Sequence, residues 1–246
     1  MNYIISYDVV GLALLALLFI LNFSISKAPS RVAFFFRALI ICSFIGAFLD
    51  VFTVWTNHYT GTPALLAINN FLAVLHIGFV GSSPLAYFLF VLSFIYQQRE
   101  IPKKALVFTM ILFGYDLLTI ITSPFTHLIM YYDEAGTYLH GPLFAGTYVV
   151  ILLFVLAAVV EMIIHFKNFS RKQFVIIFSY TIIDVVAAVI QFIHPEVLLL
   201  GFSSAISIMV VSFALKSPQE LVDQNLGIFN RTAFKDFLYS RSNKGV

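Results

Sequence analysis

The chain has 246 residues, of which 61% are apolar, 17% aromatic and only 11% charged, with 28 phenylalanines among them. Together with a mean hydropathy of +0.96, this argues against a water-soluble globule and for a chain solvated by lipid. The net charge of +2 adds nothing further, and no nucleic-acid partner is expected. The single cysteine, Cys42, excludes an internal disulfide and a cysteine metal site.

A bilayer core about 30 Å thick needs about 20 apolar residues per helix. Seven such stretches can be read, at about residues 3–22, 33–55, 64–96, 105–125, 143–164, 173–193 and 197–215. Helices are the expected form, because backbone polar groups in hydrocarbon must be satisfied within their own segment. The first stretch lacks the basic leader and small-residue cleavage site of a signal peptide, so it is retained as a span. The fold class expected is therefore an all-α membrane protein, a seven-transmembrane helix bundle covering residues 1–215.

The basic residues set the orientation. Lys27, Arg31 and Arg37 flank the first connection, Arg99, Lys103 and Lys104 the third, and Lys167, Arg171 and Lys172 the fifth. The other five lie in 216–246, so all 14 fall on one side, and the alternate connections hold none. The positive-inside rule then predicts an outside N-terminus and a cytoplasmic C-terminus.

Taken in order, the spans carry a repeated pattern. The first has Ser6 and Asp8 near its outer end, read as polar residues at the water interface. The second places Ser43, Asp50 and Asn57 seven apart on one face and ends in Trp55 and Tyr59, suited to an interfacial aromatic belt. Pro63 opens the third span, which carries Asn69, His76 and Ser83 at the same spacing. The fourth repeats it with Thr109, Asp116 and Ser123, Tyr115 standing beside the acid, and the sixth with Asp184 and Gln191, Tyr180 one turn before the acid. Such stripes can be interhelical glue, but acids and a histidine at membrane depth are costly enough to suggest function. The candidate ligand-binding residues are Asp50, Asn69, His76, Tyr115, Asp116, Tyr180 and Asp184, lining an outward-opening pocket. With no Lys or Arg at that depth, an anionic ligand is less expected than a cationic, neutral or apolar one.

The connection 126–142 is the one long outer loop. Its stretch LIMYYDEAGTYL sets apolar and aromatic residues around the turn signal Glu134-Ala135-Gly136, a β-hairpin pattern. A short extracellular hairpin between helices 4 and 5 could act as a lid through Tyr132, Tyr138 and His140, or be a loop without a role. The fifth span ends with Glu161 and His165 on one face. The seventh has no lysine, which excludes a retinal Schiff base. Neither an Asp-Arg-Tyr run nor an Asn-Pro-x-x-Tyr run is present to suggest a G-protein-coupled receptor.

After a short linker, 216–222, comes Asp223-Gln224-Asn225-Leu226-Gly227-Ile228-Phe229-Asn230-Arg231-Thr232-Ala233-Phe234. This run resembles the opening of GGDEF domains, the catalytic domains of diguanylate cyclases, which begin D-x-L-T-G-L-x-N-R-x-x-F. The Asp, Gly, Asn, Arg and Phe positions match. Asn225 and Leu226 stand where the family has Leu and Thr, which leaves both an active and a degenerate domain open. With the hairpin segment 131–143, the whole looks like the seven-helix input modules of bacterial diguanylate cyclases and related histidine kinases.

That resemblance implies a receptor in the bacterial cytoplasmic (inner) membrane, surrounded by lipid, that reads a small extracellular or membrane-soluble ligand. Residues 223–246 would be the truncated start of a cytoplasmic output domain making cyclic di-GMP as a homodimer. Pro218, Asp223, Asn230 and Arg231 would serve as output-coupling residues. GTP and Mg belong to the missing output domain; the fragment itself is expected to have no cofactor, no metal site and no enzymatic activity. The rival expectation is a small proton-coupled transporter using His76, Asp116 and Asp184 as a relay.

Overall fold

In a computed structural model the described residues are 4–25, 30–57, 59, 61–97, 99–133, 136–194 and 196–215. The linker and the GGDEF-like run, with Pro218, Asp223, Asn230 and Arg231, lie outside them. The chain is a helical membrane bundle of α1 (Ser6–Ile25), α2 (Arg31–Thr56), α3 (Pro63–Ile95), α4 (Lys103–Thr126), α5 (Phe144–Ile164), α6 (Arg171–Ile193) and α7 (Leu200–Leu215). The first six are long and apolar enough to cross a membrane. Within the described residues α7 covers 16 residues, about 24 Å at 1.5 Å each. By the same rise the 33 residues of α3 reach about 50 Å, so this helix must tilt or project beyond the core.

The helix starts follow from local chemistry. Ser30 caps α2 by accepting from Ala33 N at 3.0 Å, and Thr62 caps α3 by accepting from Leu65 N, with Pro63 at the first position where its missing N–H is harmless. Ser170 and Gln173 form a reciprocal capping box on α6. At the same end of the bundle, the Arg31 guanidinium donates to the carbonyls of Tyr96, Gln97 and Arg99, closing the end of α3.

Sequential helices are neighbours: α1 packs on α2, α2 most extensively on α3, α6 on α7, and α7 back on α1. Because α3 also packs directly on α5, α4 sits at the periphery of this ring. Its outward face is apolar, with Ile111, Leu118 and Phe125 exposed, while Thr109, Asp116 and Ser123 point inward. Polar inside and apolar outside is the pattern a lipid solvent demands.

Between α4 and α5 two strands, β1 (Met130–Tyr132) and β2 (Tyr138–His140), pair antiparallel with Tyr131 opposite Leu139. Ser123 anchors the pair: its buried hydroxyl accepts from Ile129 N and Met130 N and donates to Met130 O, at 2.8–3.0 Å. The turn residues Glu134 and Ala135 lie outside the described residues.

Packing differs between the two ends. The apolar core, including Phe36, Leu39, Tyr87, Phe90, Phe154 and Ile208, fills the half that carries the basic residues. The half nearer the hairpin is built from the helix segments holding the seven-spaced polar residues. It encloses a cavity.

Candidate ligand-binding cavity

The cavity has a volume of about 700 Å³ and is lined by α2, α3, α5, α6 and the start of α7, with one residue, Asp116, from α4. Tyr132, Tyr138 and His140 of the hairpin also line it. That volume lies in the range of small-molecule sites, and the lining is mostly apolar with few polar groups, as such sites are.

The stripes meet here. Ser43 and Ser83 hydroxyls lie 3.3 Å apart and join α2 to α3 at the wall. Above them, His76 Nε2 lies 3.6 Å from Asp50 Oδ1. Where α3 borders the cavity its sequence is Gly81-Ser82-Ser83-Pro84, and Pro84 cannot donate the helical bond to Val80 O. Broken backbone bonding is tolerable at membrane depth where it faces a cavity. Gly81 also makes room for the neighbouring acid: a Cβ there would sit 3.1 Å from Asp116 Oδ2.

The acids have different surroundings. Asp184 accepts from Ser204 and Ser207 hydroxyls of α7, both at 3.3 Å. Tyr180, one turn before it, is buried and stacks on Tyr87 with ring centroids 4.2 Å apart. Tyr87 is tied down in turn, donating to Ile177 O at 2.8 Å and meeting Thr181 Oγ1 at 2.9 Å. Asp116 is 3% exposed, and among the described residues no hydrogen bond or ion pair engages its carboxylate. Among the described residues no Lys or Arg lines the cavity.

At the hairpin end the aromatic rings form a continuous row. Tyr132 meets Tyr138, Tyr138 meets His140, His140 stacks on Phe144 at 3.7 Å, and the row continues through Tyr148 to Phe192. The Tyr132 hydroxyl donates to Asn57 Oδ1 at 2.6 Å, fastening the hairpin to the end of α2. Partial burial of His140 holds its imidazole below the usual histidine range.

Five of the seven expected ligand-binding residues, Asp50, His76, Asp116, Tyr180 and Asp184, line the cavity. Two do not. Tyr115 is 56% exposed on the outer surface of α4, because one residue along a helix turns the side chain by about 100°. Asn69 is buried, but its amide donates to Thr56 O at 3.3 Å and ties the α2–α3 turn together outside the cavity.

Asp8 also departs from expectation. It is not at the water interface but fully buried. Its Oδ1 accepts from Gly201 N at 3.1 Å, while Gln191 Oε1 accepts from Leu199 N and Leu200 N. Together they satisfy three N–H groups at the start of α7, and a carboxylate there suits the helix dipole. Asp8 Oδ2 is buried without a hydrogen-bond partner among the described residues. The signal missed in the sequence was Gly201, which admits the acid: a Cβ there would be 2.7 Å from Asp8 Oδ1.

No family model, curated protein or solved structure matches the chain.

Proposed function

We propose that the chain is the sensory part of a membrane receptor, in which a small ligand enters the outer cavity and is reported to a cytoplasmic output domain. The reading rests chiefly on the division of the bundle into a packed half and an open half. A ligand site on the hairpin side, above a rigid base bearing the basic residues, is what a receptor with outside N-terminus and cytoplasmic C-terminus requires. The seventh helix is the natural conduit. Its start contributes Leu200, Gly201 and Ser204 to the cavity wall, and its other end leads into the linker 216–222. A ligand moves this helix only by preferring one arrangement of the bundle over another.

The output domain is proposed from the GGDEF-like run 223–234 and would make cyclic di-GMP as a dimer. Pro218 restricts the linker, so little displacement would be lost before Asp223. The reading frame past residue 246 tests this directly. A GG-D/E-E-F loop there is the expected result; an unrelated domain or a stop codon overturns the cyclase assignment.

A proton relay through His76, Asp116 and Asp184 finds less support, because among the described residues no hydrogen bond links the three and Asp184 is held by serines. Proton-driven uptake in reconstituted vesicles that vanishes in Asp116→Asn would nonetheless overturn the receptor reading.

A further inference from the structure

We infer that the cavity takes an organic ammonium ligand, a protonated amine or quaternary ammonium with an apolar or aromatic body, with Asp116 as its counter-ion. The inference rests on the receptor reading of the same cavity and names the chemistry of what fills it.

Charge comes first. Among the described residues three carboxyls, Asp50, Asp116 and Asp184, reach the cavity from three helices, and no Lys or Arg accompanies them. Two of the three have polar neighbours: Asp50 lies 3.6 Å from His76 Nε2, an ion pair when the ring is protonated, and Asp184 has two serine hydroxyls. The Asp116 carboxylate has no hydrogen bond or ion pair among the described residues and is 3% exposed, yet it borders the open space. A carboxylate that faces a mostly apolar cavity with no partner among the described residues is completed by a cation or a proton.

Size and surroundings choose between cations. A cavity of about 700 Å³ is far larger than an inorganic ion needs, and among the described residues no three acid or histidine side chains converge as metal ligands. The outer wall instead presents the aromatic row from Tyr138 through His140, Phe144 and Tyr148 to Phe192. Aromatic faces attract ammonium groups and bury apolar bodies. An acid at one side of an aromatic-walled chamber is complementary to an amphipathic amine, whereas a carboxylate ligand would face three like charges.

The test uses three probes of matched shape: diphenylpropylamine, diphenylpropanol and diphenylpropanoate. Each is titrated into the purified chain in lipid nanodiscs, with binding read by calorimetry. Saturable binding of the amine, at least about tenfold tighter than either analogue, is the expected result. Asp116→Asn should lose about tenfold or more of the amine affinity, Asp116→Glu should restore part of it, and Glu100→Gln at the opposite, exposed end should leave it unchanged.

If the alcohol or the carboxylate binds as tightly as the amine, or none of the three saturates, the inference is overturned. The three-probe comparison on the unmodified chain decides this even if Asp116→Asn does not fold. Failure of the receptor reading looks different: the amine would bind as described, yet leave cyclic di-GMP output of the whole protein unchanged.

Discussion

At the scale of single residues, the closest approaches in the bundle are made by glycines. A Cβ on Gly11 would lie 2.7 Å from the backbone of Gly201 and Phe202, so α1 and α7 touch where neither can yield. Gly11→Ala should therefore destabilise the bundle by about 1–3 kcal/mol through overpacking. Gly146, with nothing within 4 Å of an added Cβ, should accept alanine with no loss, or a gain of about 0.5–1 kcal/mol. Thermal unfolding of the two variants in one lipid system checks both. A Gly11→Ala protein as stable as the parent would mean that α1 and α7 are not locked together.

The residue scale is also where the sequence was most and least legible. Asp50, His76, Asp116 and Asp184 could be found because a spacing of seven returns a side chain to nearly the same helix face, and the apolar setting made each acid conspicuous. Tyr115 misled because adjacency along the chain is not adjacency on a helix. Asn69 shared a stripe with His76 and Ser83 but lies near the helix end, where its amide serves the turn. Asp8 was misjudged because its partner, the N–H of Gly201, is 193 residues away. Backbone donors on a distant helix leave no mark in a side-chain pattern.

At the scale of elements, the hairpin depends on Ser123. Without that hydroxyl, the N–H groups of Ile129 and Met130 lose their acceptor in a buried place, at a cost of about 1–3 kcal/mol. In Ser123→Ala, hydrogen exchange at 129–132 should accelerate while the helices keep their protection. Unchanged exchange would mean that strand pairing alone holds the hairpin. The pairing itself was readable from alternating aromatics around a turn signal, but its anchor was not, because Ser123 belonged to the stripe on α4.

His140 gives the hairpin a pH dependence. Its pKa is lowered by partial burial, so the protonated form is disfavoured when the ring is stacked on Phe144. The stabilisation is fully present above the ordinary histidine value of 6.5 and is lost as pH falls through the lowered value. Exchange at β2 should thus quicken on acidification, and His140→Phe should abolish that change. A β2 whose protection is flat across this range, or that loosens at higher pH, would show that stacking on Phe144 does not shield the ring in solution.

At the scale of the whole molecule, the chain divides its length between rigidity and openness. Large apolar side chains sit together in the helix halves near the basic residues, and polar and small residues sit together in the other halves. The class of fold was legible because lipid demands long apolar helices. A cavity was expected from the cost of placing acids at membrane depth, whereas its lining was legible only in part, because a stripe of polar residues reads the same whether it closes on itself as glue or surrounds a space. Orientation belongs to this scale as well: phosphatase fusions placed after Gly136 should be active, and those after Arg99 or Lys167 inactive. The reverse pattern would put the cavity on the cytoplasmic side and remove the case for an external ligand.

The most direct test of the proposed receptor reading compares cyclic di-GMP, the product proposed for its output domain, in cells expressing the unmodified protein with that in cells expressing Asp116→Asn and Asp184→Asn variants inserted to the same level. If the cavity is where the signal is read, neutralising its acids should shift output several-fold while Glu100→Gln leaves it alone. Output that stays the same in both cavity variants would contradict the account and leave the bundle as a membrane anchor.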